Sequence, residues 1–200
     1  MQGQPSTSDP TYVEWLKRQE AIWWKKLLDV QRPYRRHLQA LELGSVLDVG
    51  CGLGRNLLNL RGRGVGVDHN PEFVAAARAR GFIAFLPDEF RASEYGTPGR
   101  FDSLLLSHVL EHMHFDEAHA LVETYLPSVR PGGRVVFITP QEAGFRSDPT
   151  HVEWCDFAAL LRLAEALHLA VEKHYSFPFP RFVGRWFKYN EFILLARTSE

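Results

Sequence analysis

The sequence has little cysteine, no excess of either charge and no long apolar segment. Two cysteines, Cys51 and Cys155, without metal-ligand spacing cannot build a disulfide framework, which favours a reducing, cytoplasmic location. The 23 basic and 24 acidic side chains leave a net charge of −1. No general basic field therefore exists to hold a phosphate backbone, and the composition does not point to a nucleic-acid partner. No apolar run reaches the length of a membrane span, so no membrane association is expected.

The chain begins with a polar stretch that precedes two helical patterns. Residues 1–10 lack the apolar centre of a signal peptide and are expected to be a disordered tail. Apolar residues recur every three or four positions over 12–30, which predicts a helix, and a second short helix is predicted over 34–42. We therefore assign residues 11–43 to N-terminal helices and residues 44–200 to a separate domain.

Beyond these helices, short apolar runs alternate with helix-length segments. Strands are predicted at 45–49, 64–68, 82–86, 101–107, 133–139, 170–177 and 191–197, and helices at 55–60, 71–80, 116–129 and 155–168. The alternation predicts an α/β domain in which helices cover both faces of a parallel sheet. No helix-length segment separates the last two strands, so these are expected to pair antiparallel.

A glycine-rich stretch follows the first predicted strand, and an acid ends the second. The glycines of DVGCGLG (48–54) let the backbone turn sharply and approach a ligand, and Asp68 can bind the two hydroxyls of a ribose. Arg55 stands where the dinucleotide pattern G-x-G-x-x-G needs a small residue. Asp48 repels a pyrophosphate but suits an amino group. S-adenosylmethionine, which has an amine and a ribose but no phosphate, therefore fits better than NAD.

Four stretches resemble, in order, the successive motifs of class I S-adenosylmethionine-dependent methyltransferases: VLDVGCGLGRN, GVGVDHNPEFV, FDSLLLSHVLEHM and LPSVRPGGRVVFITP. The resemblance implies a Rossmann-like three-layer sandwich with a seven-stranded, mostly parallel sheet of order 3-2-1-4-5-7-6 and an antiparallel seventh strand. It implies methyl transfer to an oxygen or nitrogen of a small molecule, with S-adenosylhomocysteine as the product. The N-terminal helices are then a candidate lid over the cofactor.

The resemblance also indicates which residues hold the cofactor. These are Asp48, Gly50, Cys51, Gly52, Asn56, Asp68, His69, Asp88, Ser107 and His108. The glycine loop is expected to surround the methionine part. Asp68 is expected to hold the ribose, with His69 beside it, and Asp88, in the loop after the third strand, to contact the adenine. Ser107 and His108 are expected to close the floor of the cofactor site.

The segment HVLEHMH (108–114) contains His-x-x-Glu-His, the spacing of a reversed zinc-peptidase motif. A catalytic zinc site needs both histidines on one helix, a third ligand and an open position. His108 directly follows a buried strand, so helical geometry is not assured, and we predict no metal site. His112 is the first candidate for a general base, because histidine titrates nearest neutrality. The alternative is that His112 packs against the sheet at a helix start.

Two further segments carry polar or aromatic side chains. DPTHVEW (148–154) follows the fifth strand, and its His151 is the second candidate base or a positioning residue. The alternative is that Asp148 or Thr150 caps the next helix. The aromatic and basic linker 178–190 either covers a sheet edge, binds an anionic small substrate or stacks nucleic-acid bases.

Several functional alternatives stay open. Within the same class they are an RNA or protein methyltransferase, and a binding module that keeps the cofactor without catalysis. Outside it they are a zinc hydrolase built on His108 and His112, and an NAD-dependent oxidoreductase, which Arg55 disfavours. We expect a monomer or a homodimer.

Overall fold

The structure, a computed structural model, describes residues 31–199. The predicted tail and the predicted helix over 12–30 lie outside this range. Among the described residues, no helix is both long and apolar enough to cross a membrane.

The described chain forms one mixed sheet flanked by helices. Its strands are β1 Val46–Val49, β2 Gly64–Val67, β3 Ala84–Phe85, β4 Phe101–Ser107, β5 Val129–Pro140, β6 Ala170–Phe177 and β7 Glu191–Arg197. They lie in the order β3-β2-β1-β4-β5-β7-β6, with β1 to β5 parallel and β7 antiparallel to both of its neighbours. The predicted fold class and strand order are confirmed.

Helices connect most of these strands. They are α1 Arg32–Ala40, α2 Arg55–Asn59, α3 Pro71–Ala79, α4 Pro87–Ala92, α5 Phe115–Tyr125, α6 Glu142–Phe145 and α7 Phe157–Ala166. Short 3-10 turns lie at Glu94–Gly96, Leu110–His112, Leu126–Ser128 and Arg181–Arg185. Local chemistry sets several of the helix starts. The Asn70 side chain accepts the Glu72 N–H ahead of α3, and Asp156 accepts two backbone N–H groups at the start of α7.

The structure differs from the predicted elements around β3 and ahead of β5, and it adds the short helix α6. The third strand is only two residues long, and α4 occupies the expected loop. Pro87 suits a first helical position, and Glu89 accepts the Leu86 N–H at 3.0 Å, which together favour a helix start. The helix predicted over 116–129 ends at Tyr125, because Pro127 cannot continue it, and β5 begins at Val129, earlier than expected.

The core lies on both faces of the central strands. β1 and β2 are buried along their whole length, as expected for parallel strands covered on two sides. One large cluster joins β1, β4, β5 and β7 to α5 and α7, with Leu104, Phe137 and Phe192 almost fully buried. These rigid central strands fix the positions of the loops at their carboxyl ends.

The helix predicted over 34–42 is α1, which packs on the sheet. Leu38 lies in a cluster with Val46 and Val136, while His37 stacks on Phe177 at 4.1 Å between ring centroids. His37 Nε2 accepts the Tyr175 hydroxyl at 2.6 Å. Burial lowers the pKa of His37 to about 4, so the ring is neutral near pH 7. α1 is therefore anchored to β6 through an uncharged histidine.

Candidate active site

The candidate site lies where the direction of the strand connections reverses. From β1 the chain adds β2 and β3 on one side and β4 and β5 on the other. In open α/β sheets, ligands bind beyond the carboxyl ends of the strands at this switch point. The loops after β1, β4 and β5 meet there, and they carry most of the predicted site residues.

The glycine loop turns directly out of β1. The N–H groups of Gly50 and Cys51 both donate to the carbonyl of Val67, at 2.8 and 3.1 Å. Gly50 has a φ of +74°, and a Cβ there would collide with the side chain of Val109. Gly52 has a φ of +51°, and a Cβ there would meet nothing within 4 Å. The loop is thus closely packed against the segment after β4 on one side and open on the other.

Two carboxylates lie beside this loop. Asp68 accepts the Gly52 N–H at 2.8 Å and the Asn70 N–H at 2.9 Å, and burial raises the pKa of Asp68 against the effect of these bonds. Asp48 is fully buried, and its Oδ1 accepts from Asn56 at 3.4 Å. Burial raises the pKa of Asp48 to about 7. Asp48 Oδ2 has no hydrogen-bond partner among the described residues, so it remains an acceptor for an added donor.

These features fit S-adenosylmethionine. An acceptor that lacks a partner below a glycine loop suits the amino group of a ligand, and an acid at the end of β2 suits a ribose. The Cys51 side chain instead faces the core with Leu57 and Val74, and burial raises the pKa of its thiol well above the ordinary range. Only the backbone of Cys51 remains to line the loop.

Other predicted cofactor residues have different surroundings. His69 is exposed, with its Nδ1 3.6 Å from Asp68 Oδ1. Asp88 lies in the first turn of α4, points to solvent and forms an ion pair with Arg91. Ser107 is half-buried at the end of β4. The predicted adenine contact of Asp88 therefore stays a prediction.

His108 leaves β4 with a left-handed backbone, at a φ of +58°. Its Nδ1 lies 3.2 Å from Glu111 Oε1 and its Nε2 2.9 Å from Glu191 Oε1. Burial disfavours the charged ring, but the contacts with the two carboxylates prevail and raise the pKa of His108 to about 10. His108 is therefore an imidazolium held between two acids, with neither nitrogen free for a metal.

Glu111 is the buried centre of a histidine cluster. Its side chain is 0% exposed, and it contacts His108 at 3.2 Å and His151 Nε2 at 3.9 Å. Burial opposes its ionisation, but the charge of His108 prevails and lowers the pKa of Glu111. Neither of its oxygens has a hydrogen bond among the described residues, because the contact with His108 lacks hydrogen-bond geometry.

The two candidate bases pack against each other beside this carboxylate. The ring centroids of His112 and His151 lie 4.8 Å apart in an edge-on arrangement. His112 Nδ1 lies 3.2 Å from the Thr150 carbonyl oxygen, and His151 Nδ1 lies 2.8 Å from that of Phe145. A carbonyl only accepts, so both Nδ1 atoms carry a proton, and in the neutral form of each ring the lone pair lies on Nε2. Burial lowers the pKa of His112.

Sequence reasoning missed two members of this cluster. Glu111 is the glutamate of the His-x-x-Glu-His spacing, and the sequence suggests for it only that it orients His112 or caps the turn. The burial of Glu111 could not be predicted from the sequence of this segment. Leu110–His112 forms a single 3-10 turn, which directs the Glu111 side chain into the protein interior. Glu191 is distant in sequence and carries no motif signal. It reaches the site because β7 runs antiparallel to β5, which places Glu191 opposite Pro140.

The linker after β6 packs in part on α6 and β7. Arg181 donates two hydrogen bonds to the Glu142 carboxylate and lies over the Phe192 ring at 4.6 Å. Phe182 and Trp186 are exposed, at 62% and 75%. Arg181 therefore has a structural role. The two exposed aromatic rings leave open whether this segment binds an anionic small substrate or stacks nucleic-acid bases.

The fold and the loop geometry define a class I S-adenosylmethionine-dependent methyltransferase. Residues 23–196 match the sequence profile described as a methyltransferase domain, and the chain belongs to this family. S-adenosylmethionine is its cofactor. No curated protein sequence matches the chain.

Solved structures agree on the fold. A SAM-dependent methyltransferase from Archaeoglobus fulgidus aligns with a TM-score of 0.66 at 18% identity, over 88% of this chain and 98% of that chain. The N-methyltransferase NodS from Bradyrhizobium japonicum gives 0.62 at 18%, over 85% and 97%. The [4+2]-cyclase SpnF gives 0.61 at 20%, over 84% and 82%. At these identities the likeness shows the fold alone.

Proposed function

We propose that this methyltransferase acts on an oxygen or nitrogen of a small molecule bound beside the cluster of Glu111, His112 and His151. The observation that carries the proposal is the contact of Gly50 with Val109, which leaves no room for a Cβ. This contact joins the glycine loop to the segment that leads into the cluster. An acceptor at the cluster would therefore lie next to the methionine part of the cofactor.

The cofactor side of the site is carried by groups with fixed directions. We assign the amino group to Asp48 Oδ2, the ribose hydroxyls to Asp68 and the methionine backbone to the glycine loop. When bound, S-adenosylmethionine supplies a methyl group on a positively charged sulfur, so the protein needs only to align a nucleophile and exclude water. Asn56 holds Asp48 in place through its 3.4 Å contact.

The acceptor side is carried by the two histidines. Their Nδ1 atoms are bound to carbonyl oxygens, so each Nε2 presents a lone pair that accepts a hydrogen bond or proton from an acceptor hydroxyl or amine. His108 cannot take this role, because both of its nitrogens lie against carboxylates. We therefore assign acceptor positioning and proton acceptance to His112 and His151.

The charges around the acceptor site favour a small-molecule substrate over RNA. The side chains at the acceptor site are histidines and buried acids, and the nearby Arg181 is paired with Glu142. A phosphate backbone requires exposed cations instead.

Calorimetry and an acceptor screen test the proposal. We expect S-adenosylmethionine and S-adenosylhomocysteine to bind, and a panel of small hydroxy and amino compounds to yield S-adenosylhomocysteine together with a methylated product detected by mass spectrometry. Both products are needed, because the same fold also serves the cyclase SpnF. Absence of heat with both cofactor forms would overturn the proposal, as would turnover with RNA or protein only.

A further inference from the structure

The buried cluster has the composition and the geometry of a metal centre. One ring nitrogen each of His112 and His151 and a carboxylate oxygen of Glu111 all lie within 4.8 Å of one another. We infer that these three residues form a binding site for a divalent transition-metal ion of the zinc or ferrous-iron type. The site differs from the His108 and His112 pair that the His-x-x-Glu-His spacing suggests.

The histidines are oriented as metal ligands are. A metal-binding histidine usually donates its other ring N–H to a carbonyl or carboxylate, which fixes the tautomer. His151 Nδ1 does this with the Phe145 carbonyl, and His112 Nδ1 with the carbonyl and hydroxyl of Thr150. The Thr150 hydroxyl donates in turn to Asp148 at 2.6 Å. Each ring therefore presents its Nε2 lone pair in a fixed direction.

The charge balance of the cluster independently points to a cation. Glu111 is fully buried and neither of its oxygens has a hydrogen bond. The ring of His108 lies against Glu111 and also against Glu191, so two carboxylates share this one neighbour. A buried carboxylate without hydrogen bonds is costly, and buried charges are normally paired or bound to metals. A cation among Glu111, His112 and His151 would give the Glu111 oxygens the partner that they lack.

The ligand set selects the kind of ion. Two histidines and one carboxylate form the ligand sets of catalytic zinc sites and of non-haem ferrous sites, both of which keep open positions. Mg²⁺ prefers oxygen ligands and is disfavoured by two imidazoles. Tetrahedral zinc places its ligand atoms roughly 3.4 Å apart. The most widely separated ligand atoms would therefore close by at most about 1.4 Å on binding, which small torsions of the Glu111 side chain and small tilts of the two rings provide.

The role of the ion rests on the proposed function, whereas metal binding itself does not. An acceptor oxygen in the open position would release its proton to water and bind as the oxyanion. The O–CH₃ bond then forms as the S–CH₃ bond breaks, and the electrons of that bond stay on sulfur as the thioether. In this state the two histidines position the acceptor through the ion instead of taking its proton.

Metal titration of the untagged full chain, stripped with a chelator, tests the site. We expect one equivalent of Zn²⁺ after dialysis, a rise in Tm with Zn²⁺, and no displacement by millimolar Mg²⁺. His112→Ala and His151→Ala should each lower zinc affinity by more than about 100-fold, since even outer partners of a ligand are worth 10–100-fold. His114→Ala is the matched control, because His114 is 72% exposed and paired with Glu153 on the surface.

Two further measurements keep the test decisive. Co²⁺ substitution should give visible bands without a thiolate charge-transfer band, and a thiolate band would overturn the assignment by pointing to Cys51 or Cys155.

Calorimetry with S-adenosylmethionine separates the two proposals. Cofactor binding by a wild-type chain that takes up no Zn²⁺ or Co²⁺ overturns the metal site alone. Stoichiometric zinc without cofactor heat overturns the proposed function alone. Unchanged zinc binding by the folded double variant of His112 and His151 also overturns the site.

Discussion

His108 Nε2 lies 2.9 Å from Glu191 Oε1, although 83 positions separate the two residues in the chain. The contact joins the end of β4 to the start of β7 across the intervening β5. It fixes the left-handed turn at His108 and thereby the start of the segment that carries Glu111 and His112. The antiparallel seventh strand is thus a direct support of the candidate site.

Replacing Glu191 tests this support. Glu191→Gln removes one of the two carboxylates that raise the pKa of His108, so NMR titration should show His108 losing its proton at a lower pH than about 10. Because the pKa of His108 is higher in the folded chain than in the unfolded chain, the protonated ring stabilises the fold. This stabilisation is complete below the unfolded pKa and is lost as pH rises through the folded pKa. The variant should therefore be less stable than the wild type at pH 7, and the difference should shrink towards pH 10.

Glu172→Gln is the comparison for this variant, since Glu172 pairs with arginines on β5 and β7 away from His108. An unchanged His108 titration in Glu191→Gln would contradict the proposed support.

Asp68 should be required for cofactor affinity. Asp68→Ala removes an acceptor assigned to the ribose and leaves the Gly52 N–H unpaired, so we expect S-adenosylmethionine to bind about 10- to 100-fold more weakly, as for loss of one or two hydrogen bonds to a charged group. Isothermal calorimetry measures the change. Glu165→Ala, an exposed carboxylate at the end of α7, should leave affinity unchanged, and Asp88→Ala tests the predicted adenine contact separately.

The glycine loop should tolerate no side chain at Gly50. Gly50→Ala introduces a Cβ at positive φ that also collides with Val109, so we expect a loss of about 1–3 kcal/mol from backbone strain alone and a larger total loss. Gly52→Ala carries a similar φ but meets open space, so its loss of stability should be smaller. Thermal unfolding of Gly50→Ala with and without Val109→Ala measures the collision, since the second change removes the colliding methyl group. No recovery in the double variant would show that strain alone acts.

Acid should destabilise the chain through His37. Burial holds the pKa of His37 near 4, below its unfolded value, so the unfolded state binds the extra proton first. The stabilisation is therefore present above about pH 6.5 and is lost as pH falls towards 4. In Tm measurements between pH 7.5 and 4.5, His37→Gln should lose less stability than the wild type. His168→Gln, an exposed histidine after α7, should follow the wild-type curve.

Most of the fold could be predicted because its signals are local. The buried runs of β1 and β4, the Pro71 helix start and the glycine stretch after β1 each carry their own pattern. The strand order came from the resemblance of four motifs, not from periodicity. The third strand was predicted at 82–86 but is only two residues long, and the helix α4 was missed, because a helix start at Pro87 also fits a loop.

The candidate site, like the fold, has parts that local sequence patterns predict and parts that they do not. Four ordered motifs in the sequence were enough to give the class of protein and the cofactor, because a glycine turn and a strand-end acid are short-range patterns. The same motifs and the loop after β5 made Asp48, Asp68, His112 and His151 candidates for the site. The packing of the folded chain shows what the sequence could not, that His108 is paired with two carboxylates and that Glu111 is buried beside His112 and His151. Burial and contacts between distant strands arise from how β4, β5 and β7 pack together, and no single segment encodes that packing.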